Sequence, residues 1–239
     1  MERKRDSGKK TRKKHWKVIP ILILIYFIFG SLKNSDSIFP FLLERNGVND
    51  DSHIIPVSEE WNLIVVNHWN EIPEDYSVTL TELSNGQKVD SRIYPYLQEM
   101  FDAMRSDGIY PIVREGYRTE EEQKETFYEK VQAYMSEGYF RTSAERIAKE
   151  WVALPGTSEH QLGIAVDINA DKTQSANEEV YAWLAENAYK YGFILRYPQG
   201  KEDITGTSYE PWHFRYVGIE HAQVIYENRF CLEEYLEND

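Results

Sequence analysis

Two short segments that alternate like β-strands constrain the fold of this chain most strongly, because each carries a metal-binding residue type on one face. In the first, from Ile164 to Ile168, aliphatic side chains alternate with Ala165 and Asp167. This period predicts a strand whose aliphatic face enters the core, while the small Ala165 leaves room beside the carboxylate on the other face. His160 lies on the approach to this strand. Taken alone, His160 and Asp167 are equally compatible with a surface histidine and an ordinary strand-end aspartate.

The second segment runs from Trp212 to Val217 and alternates aromatic residues with a second imidazole, His213. Pro211 disfavours a helical backbone at Glu210, so this segment is also predicted to be a strand, with Trp212 as a core aromatic. On a regular strand Glu210 would face the side opposite His213. A bend at Pro211 is therefore required if both side chains are to reach one cleft.

Together the two segments supply the residue types of a catalytic zinc site. His160, Asp167 and His213 would be the three protein ligands, a water would take the fourth position, and Glu210 would accept its proton as general base. Two histidines and one carboxylate can also hold iron(II), but a hydrolytic site outside the membrane favours zinc. The remaining histidines have no second ligand at metal-binding spacing and are predicted to be ordinary surface or capped residues: His15, His53, His68 and His221.

The complete pattern resembles a known family. Ser-x-His-x-x-Gly-x-Ala-x-Asp at positions 158–167 and Glu-x-Trp-His-x-Arg at 210–215 are similar to the motifs of the VanY group of zinc D,D-carboxypeptidases and dipeptidases of bacterial cell-wall metabolism. The similarity continues through Gly-Tyr-Arg at 116–118 and Tyr-Gly-Phe-Ile-Leu-Arg-Tyr-Pro at 191–198. It covers roughly residues 61–235.

The resemblance implies roles for further residues. Arg118 would stabilise the tetrahedral oxyanion, and Ser158 and Gln123 would hold the substrate. From the sequence alone, Arg118 ends a buried strand at a helix entrance, where loops often carry function. Ser158 and Gln123 can equally be a turn hydroxyl and a residue of the first helical turn.

The resemblance also implies a substrate, the peptidoglycan stem peptide ending in D-Ala-D-Ala. Release of the terminal D-Ala from pentapeptide precursors would remove the target of glycopeptide antibiotics, which suggests a role in resistance or wall maturation. The alternatives are an L,D-carboxypeptidase acting on tetrapeptides, a dipeptidase acting on free D-alanyl-D-alanine, an endopeptidase of wall cross-links, and a non-catalytic zinc-bearing wall-binding module similar to hedgehog-type domains. Glu210 and Arg118 beside a full ligand set favour an enzyme over a binding module.

The order of predicted elements favours an α+β domain over residues 59–239, built on a small antiparallel sheet flanked by helices, with the zinc site in a cleft on the sheet. Thr119 and Glu122 form a capping box that starts a helix. The predicted helices are about 94–107 with Gly108 as its stop, 120–136, 143–152, and one that includes Val180 and Leu184 and closes at Gly192. Besides the two motif strands, the predicted strands are 61–66, 109–113 and 193–197.

Charge is distributed very unevenly along the chain. The first 17 residues hold nine lysines and arginines against two acidic residues, although the whole chain has a net charge of -13. The remainder is therefore strongly acidic and would repel phosphate backbones, so we expect no nucleic-acid partner.

An uncharged run of fifteen residues, 18–32, follows the basic head. A helix of that length would span about 22 Å, short of a hydrocarbon core of about 30 Å, so it could be a signal-peptide core or a thin anchor. Trp16 and Lys17 can lie at the interface and no clear cleavage site follows Phe29, which favours an uncleaved anchor. We therefore predict a cytoplasmic head at 1–17, a membrane anchor or signal segment at 18–32 and a tether at 33–58. The protein would be a single-pass cell-membrane protein with its catalytic domain extracellular.

Overall fold

The computed structural model describes residues 53–58 and 60–237. The basic head, the apolar segment 18–32 and most of the predicted tether lie outside the described residues. Within the described part, no helix has both the length and the apolar character needed to cross a membrane.

The described residues form an α+β fold, as predicted. The strands are β1 (Leu80–Glu82), β2 (Lys88–Asp90), β3 (Pro111–Glu115), β4 (Ala165–Ala170), β5 (Phe193–Leu195) and β6 (His213–Tyr216). The helices are α1 (Tyr94–Ser106), α2 (Glu120–Ser136), α3 (Arg141–Lys149), α4 (Asn177–Asn187), α5 (Glu202–Thr205), α6 (Ile219–Asn228) and α7 (Leu232–Glu237). Two short 3-10 helices lie at Glu159–Leu162 and Ala188–Tyr191.

A four-stranded antiparallel sheet organises the domain, with the strand order β3-β4-β6-β5. The main core packs against the face that carries Val166, Ile168 and Phe214, and includes apolar side chains of α1 and α4. Successive side chains of a strand point to opposite faces. Asp167, between Val166 and Ile168, and His213, next to Phe214, therefore face the other side of the sheet. The alternation of the two motifs therefore separates the core from the candidate site.

Helices α1 and α2 agree closely with the prediction. In α1 the buried residues are Leu97, Met100, Phe101 and Met104. At the start of α2 the hydroxyl of Thr119 accepts the amide hydrogen of Glu122, and the carboxylate of Glu122 accepts the amide hydrogen of Thr119 at 2.8 Å. This reciprocal pair satisfies two amide groups that the first helical turn leaves unbonded.

Residues 61–66 were predicted to be a strand, and this is wrong. Leu63, Ile64, Val65 and Val66 are buried, but their backbone is irregular. The carbonyl groups of Asn62 and Ile64 instead accept hydrogen bonds from the buried guanidinium of Arg215, at 3.0 and 2.9 Å. A side chain thus takes the place of a neighbouring strand.

Two further differences involve the hairpin of β1 and β2 and the indole of Trp212. The hairpin was not predicted, since its strands have only three residues each. Trp212 is partly buried and lies just before β6, in a turn, rather than in the core.

Residues 53–58, on the tether side of the predicted domain boundary, contact the folded domain. The ring of His53 stacks on Trp69 at a centroid distance of 4.0 Å, and the amide of Ile55 donates to the side-chain oxygen of Asn70 at 2.8 Å. These contacts extend the folded domain to at least His53.

Candidate active site

Two neighbouring strands and the 3-10 helix before them bring together the three predicted metal ligands. Asp167 on β4 and His213 on β6 are directly opposite each other in the antiparallel pair. His160 lies in the 3-10 helix, which ends at Gly163 with a φ of +74°. Only glycine adopts this left-handed conformation readily, and it lets the chain turn directly into β4.

Ligand-type atoms of His160, Asp167 and His213 lie within 4.8 Å of one another. Oδ1 of Asp167 is 3.0 Å from Nδ1 of His213 and 3.4 Å from Nε2 of His160. All three side chains are largely withdrawn from solvent. Among the described residues, this is the one group of three such side chains arranged to hold a metal ion.

The orientation of His160 is fixed by a backbone carbonyl. Its Nδ1 lies 2.8 Å from the carbonyl oxygen of Gly116, which can only accept, so Nδ1 carries the proton and Nε2 presents its lone pair to the site. A side chain at Gly116 would collide with the backbone oxygen of Lys88 in β2, because a Cβ there would lie 2.2 Å from it. The hairpin that the sequence did not reveal therefore helps to place the first ligand.

The protonation states in the site suit a cation. Burial and the positive charge of Arg118 lower the pKa of His160 to about 4, which keeps its imidazole neutral. Burial alone would raise the pKa of Asp167, but its contacts with His160 and His213 outweigh burial and hold that pKa below its usual range. A carboxylate and imidazole nitrogens converging on one point form a donor set that matches zinc.

The carboxylates around His213 favour its protonated form. Burial opposes that proton, but the hydrogen bond to Asp167 and the nearby carboxylate of Glu159, 3.7 Å from Nε2, outweigh burial and raise the pKa of His213 to about 9.

Glu210 reaches the cleft because the chain turns at Pro211 and Trp212. The amide of His213 donates to the carbonyl of Glu210 at 3.2 Å, which closes the turn and supplies the bend that a regular strand lacks. Oε2 of Glu210 lies 3.8 Å from Nδ1 of His213, and the residue is 7% exposed. Burial raises the pKa of Glu210 to about 8.

Arg118 lies between β3 and α2 and contacts the backbone of His160. Its amide donates to the carbonyl of His160 at 3.1 Å, and its Nη1 donates to Oε1 of Gln123 at 2.9 Å. Gln123 is buried and donates its own amide to the carbonyl of Ala153 at 2.7 Å. The structure thus shows Gln123 orienting Arg118, while substrate contacts of Gln123 and Ser158 stay predictions. Ser158 is buried and directly precedes the 3-10 helix that carries His160.

A buried ionic network behind His213 was missed in the sequence. It consists of Glu159, Arg196, Arg215 and Glu233, all with side chains at most 3% exposed. Oε1 of Glu159 accepts from Nε of Arg196 at 2.7 Å and from Nη1 of Arg215 at 2.8 Å. Two of these residues lie inside the motifs, but nothing in the local pattern pairs charges so distant in the chain.

Comparison with known proteins places this geometry in a family. Residues 86–219 match the family model described as VanY, D-alanyl-D-alanine carboxypeptidase. A D-alanyl-D-alanine carboxypeptidase of Enterococcus faecalis is 59% identical over 181 residues, covering 76% of this chain and 68% of that protein. The chain spans 62% and 65% of the length of two further relatives.

Solved structures agree with these sequence matches. A variant of the vancomycin resistance D,D-pentapeptidase VanY from a VanB-type resistance cassette, in complex with Zn(II), is 60% identical with a TM-score of 0.73, covering 74% of this chain and 99% of that one. VanYB in complex with D-alanine-D-alanine is 59% identical with a TM-score of 0.74, covering 75% and 99%. The described domain of this chain is therefore a member of the VanY D-alanyl-D-alanine carboxypeptidase family.

Proposed function

We propose that this chain is a zinc-dependent D-alanyl-D-alanine carboxypeptidase that releases the terminal D-Ala from peptidoglycan pentapeptide precursors. The observation that carries the proposal is the convergence of His160, Asp167 and His213, with the buried carboxylate of Glu210 beside them. A binding module has no use for such a carboxylate. Relatives with the same fold have been solved with Zn(II) and with D-alanine-D-alanine, which supports both the metal and the substrate.

The metal ligands and Glu210 would have different roles in the reaction. Zinc held by the three ligands would supply the positive charge that polarises the attacking water and the scissile carbonyl. Glu210 lies at the edge of the ligand set, where it can accept a proton from the water and return it to the leaving amine. Burial raises its pKa to about 8, and a group titrating near neutral pH can serve in both directions.

Arg118 completes the site with a fixed positive charge. Gln123 holds its guanidinium at Nη1, and the buried Nε of Arg118 makes no hydrogen bond among the described residues, although Oε1 of Glu115 lies 3.6 Å from it. A buried donor of this kind is suited to negative charge that appears only in the transition state.

The test is to incubate the full chain with pentapeptide and tetrapeptide wall precursors and to follow released D-Ala by mass spectrometry. We expect one D-Ala from the pentapeptide and none from the tetrapeptide. The substitution Glu210→Gln should lower kcat by about 10²- to 10⁴-fold, because it removes the proton acceptor. Glu202→Gln, an exposed carboxylate on α5, is the matched control and should leave kcat unchanged.

Other outcomes would redirect the proposal. Release of D-Ala from the tetrapeptide alone would indicate an L,D-carboxypeptidase. Zinc binding without cleavage of either peptide would indicate a wall-binding module. Activity that survives both a chelator and Glu210→Gln would contradict the zinc mechanism altogether.

We further propose that the apolar segment 18–32 anchors the protein in the cell membrane with the catalytic domain outside and the basic head in the cytoplasm. The charge asymmetry around the segment supports this orientation. A membrane-impermeant thiol reagent applied to intact cells should label a Ser52→Cys variant and leave Ser7→Cys unlabelled. The native Cys231 is buried and provides the unlabelled background, so labelling at position 7 alone would reverse the proposed orientation.

A further inference from the structure

Two buried polar atoms behind the metal ligands face each other without a hydrogen-bond partner. They are Oε2 of Glu159 and Nε2 of His213, at a distance of 3.7 Å. Neither has another hydrogen-bond partner among the described residues. Because unpaired buried polar atoms are costly, their mutual approach needs an explanation.

The carboxylate of Glu159 is held so that only one of its oxygens faces the site. Both arginines of the ionic network donate to Oε1, and this leaves Oε2 pointing towards His213. The carboxylate of Glu159 is thus paired with two guanidinium groups through Oε1, and its unpaired Oε2 faces His213 as a hydrogen-bond acceptor.

The second acid of the same network is bonded differently. Oε1 of Glu233 accepts from Nη2 of Arg196 at 2.6 Å and from Asn67 at 3.0 Å, and its Oε2 accepts from Nη1 of Arg196 at 2.8 Å. Both oxygens of Glu233 are thus satisfied within the network. A purely structural role for Glu159 would be served by the same two-sided pairing, and Glu159 lacks it.

An anion behind one ring nitrogen decides which nitrogen of the imidazole keeps the proton. With Oε2 of Glu159 as acceptor, Nε2 of His213 carries the proton and Nδ1 is free to bind the metal beside Asp167. His160 has the mirror arrangement, because the carbonyl of Gly116 holds its Nδ1 proton and leaves Nε2 for the metal. We propose that Glu159 is a positioning residue that fixes His213 in the tautomer and ring orientation in which Nδ1 binds zinc.

This inference rests on the proposed zinc site, and a first test uses the unaltered protein. The full chain is labelled with ¹⁵N-histidine, loaded with zinc and studied by two-bond ¹H–¹⁵N NMR. We expect His213 to bear its proton on Nε2 and the metal on Nδ1, and His160 to show the reverse. Metal on Nε2 of His213 would overturn the inference. This measurement needs no variant, so it can overturn the inference even if a substitution at Glu159 prevents folding.

A second test compares zinc affinity, measured by competition with a chromogenic chelator, in the full chain and two variants. In Glu159→Gln the side-chain amide has two possible orientations. In one, its NH₂ group faces the arginines, which lose their acceptor. In the other, its NH₂ group faces Nε2 of His213, which favours the wrong tautomer. We expect zinc to bind about 10- to 100-fold more weakly, as is typical when the acceptor behind a ligating histidine is lost. Asp90→Asn is the matched control, since Asp90 is also fully buried and paired with an arginine, Arg92, but does not touch His213.

The outcomes separate this inference from the proposed function. Equal zinc affinity in the wild type and Glu159→Gln, with only a loss of thermal stability like that of Asp90→Asn, would overturn the positioning role and leave the zinc enzyme intact. A wild-type chain that binds no zinc would overturn the proposed function and the inference with it.

Discussion

Arg118 shows how a single side chain is placed without being part of the metal site. Its amide is bonded to the carbonyl of His160 and its guanidinium to Gln123. A substitution of its side chain leaves the amide bond in place, so it probes the guanidinium alone. We predict that Arg118→Met lowers kcat about 10²- to 10³-fold, as loss of an oxyanion donor does.

The measurement for Arg118 is steady-state D-Ala release together with zinc affinity. We expect KM and zinc affinity to change little, because the interaction forms in the transition state. Arg114→Met, which alters an exposed arginine of β3, should behave like the wild type. A rise in KM with unchanged kcat would instead assign Arg118 to substrate binding.

At the same scale, the sequence predicted residues that the fold brings together at one site, and it missed the residues that support them. Asp167 and His213 follow from strand alternation, and Glu210 needed only the bend that Pro211 allows. Glu159 gave no such signal, because it lies in a 3-10 helix where neither the strand nor the helix period applies. Its partners Arg196 and Arg215 come from β-strand regions far along the chain, so their pairing exists only in the fold.

The capping box of α2 is an element-scale device that supports the site, since the first turn of this helix carries Gln123. Hydrogen bonds from Thr119, first from its backbone and then from its hydroxyl, lower the pKa of Glu122. A carboxylate whose pKa is lower in the folded state contributes stability above its unfolded pKa and loses it as the pH falls through the folded value. Glu122→Gln should therefore destabilise the protein at pH 7.

This cap prediction is checked by urea unfolding of wild type and Glu122→Gln at pH 7 and near pH 3. The difference in unfolding free energy should shrink at the lower pH, where the wild-type carboxylate approaches protonation. Glu120→Gln, at an exposed position of the same turn, should show a smaller difference at both pH values. A gap that is equal at pH 3 and pH 7 would mean that the charge of Glu122 does not matter.

Elements with strong local signals were predicted well, and those that depend on distant partners were not. Helices α1 and α2 have an apolar face or a complete cap within their own sequence. Residues 61–66 have the composition of a strand, but their carbonyl groups bond to Arg215 from β6. The hairpin of β1 and β2 is short and pairs only with itself among the strands, so its significance appears only where Lys88 meets Gly116.

At the scale of the whole molecule, the ionic network ties together parts of the chain that are far apart. Arg215 bonds the 61–66 segment to β6, and Arg196 joins Glu159 to Glu233 on α7. Breaking a buried pair by removing one partner typically costs about 3 to 5 kcal/mol. The metal site therefore lies against a rigid base, and its ligands should gain little order when zinc binds.

Zinc should accordingly stabilise the folded protein by mass action rather than by folding it. At zinc about 100-fold above its Kd the gain is about 2.7 kcal/mol, which for a protein of this size raises Tm by roughly 5 to 10 °C. Differential scanning calorimetry of the metal-free chain, with and without added zinc, measures this shift. Asp167→Asn should abolish the shift because it removes a ligand, whereas Asp203→Asn, at an exposed position of α5, should retain it. A metal-free wild type that is already unfolded would contradict the rigid base, because then zinc and not the buried network would be organising the site.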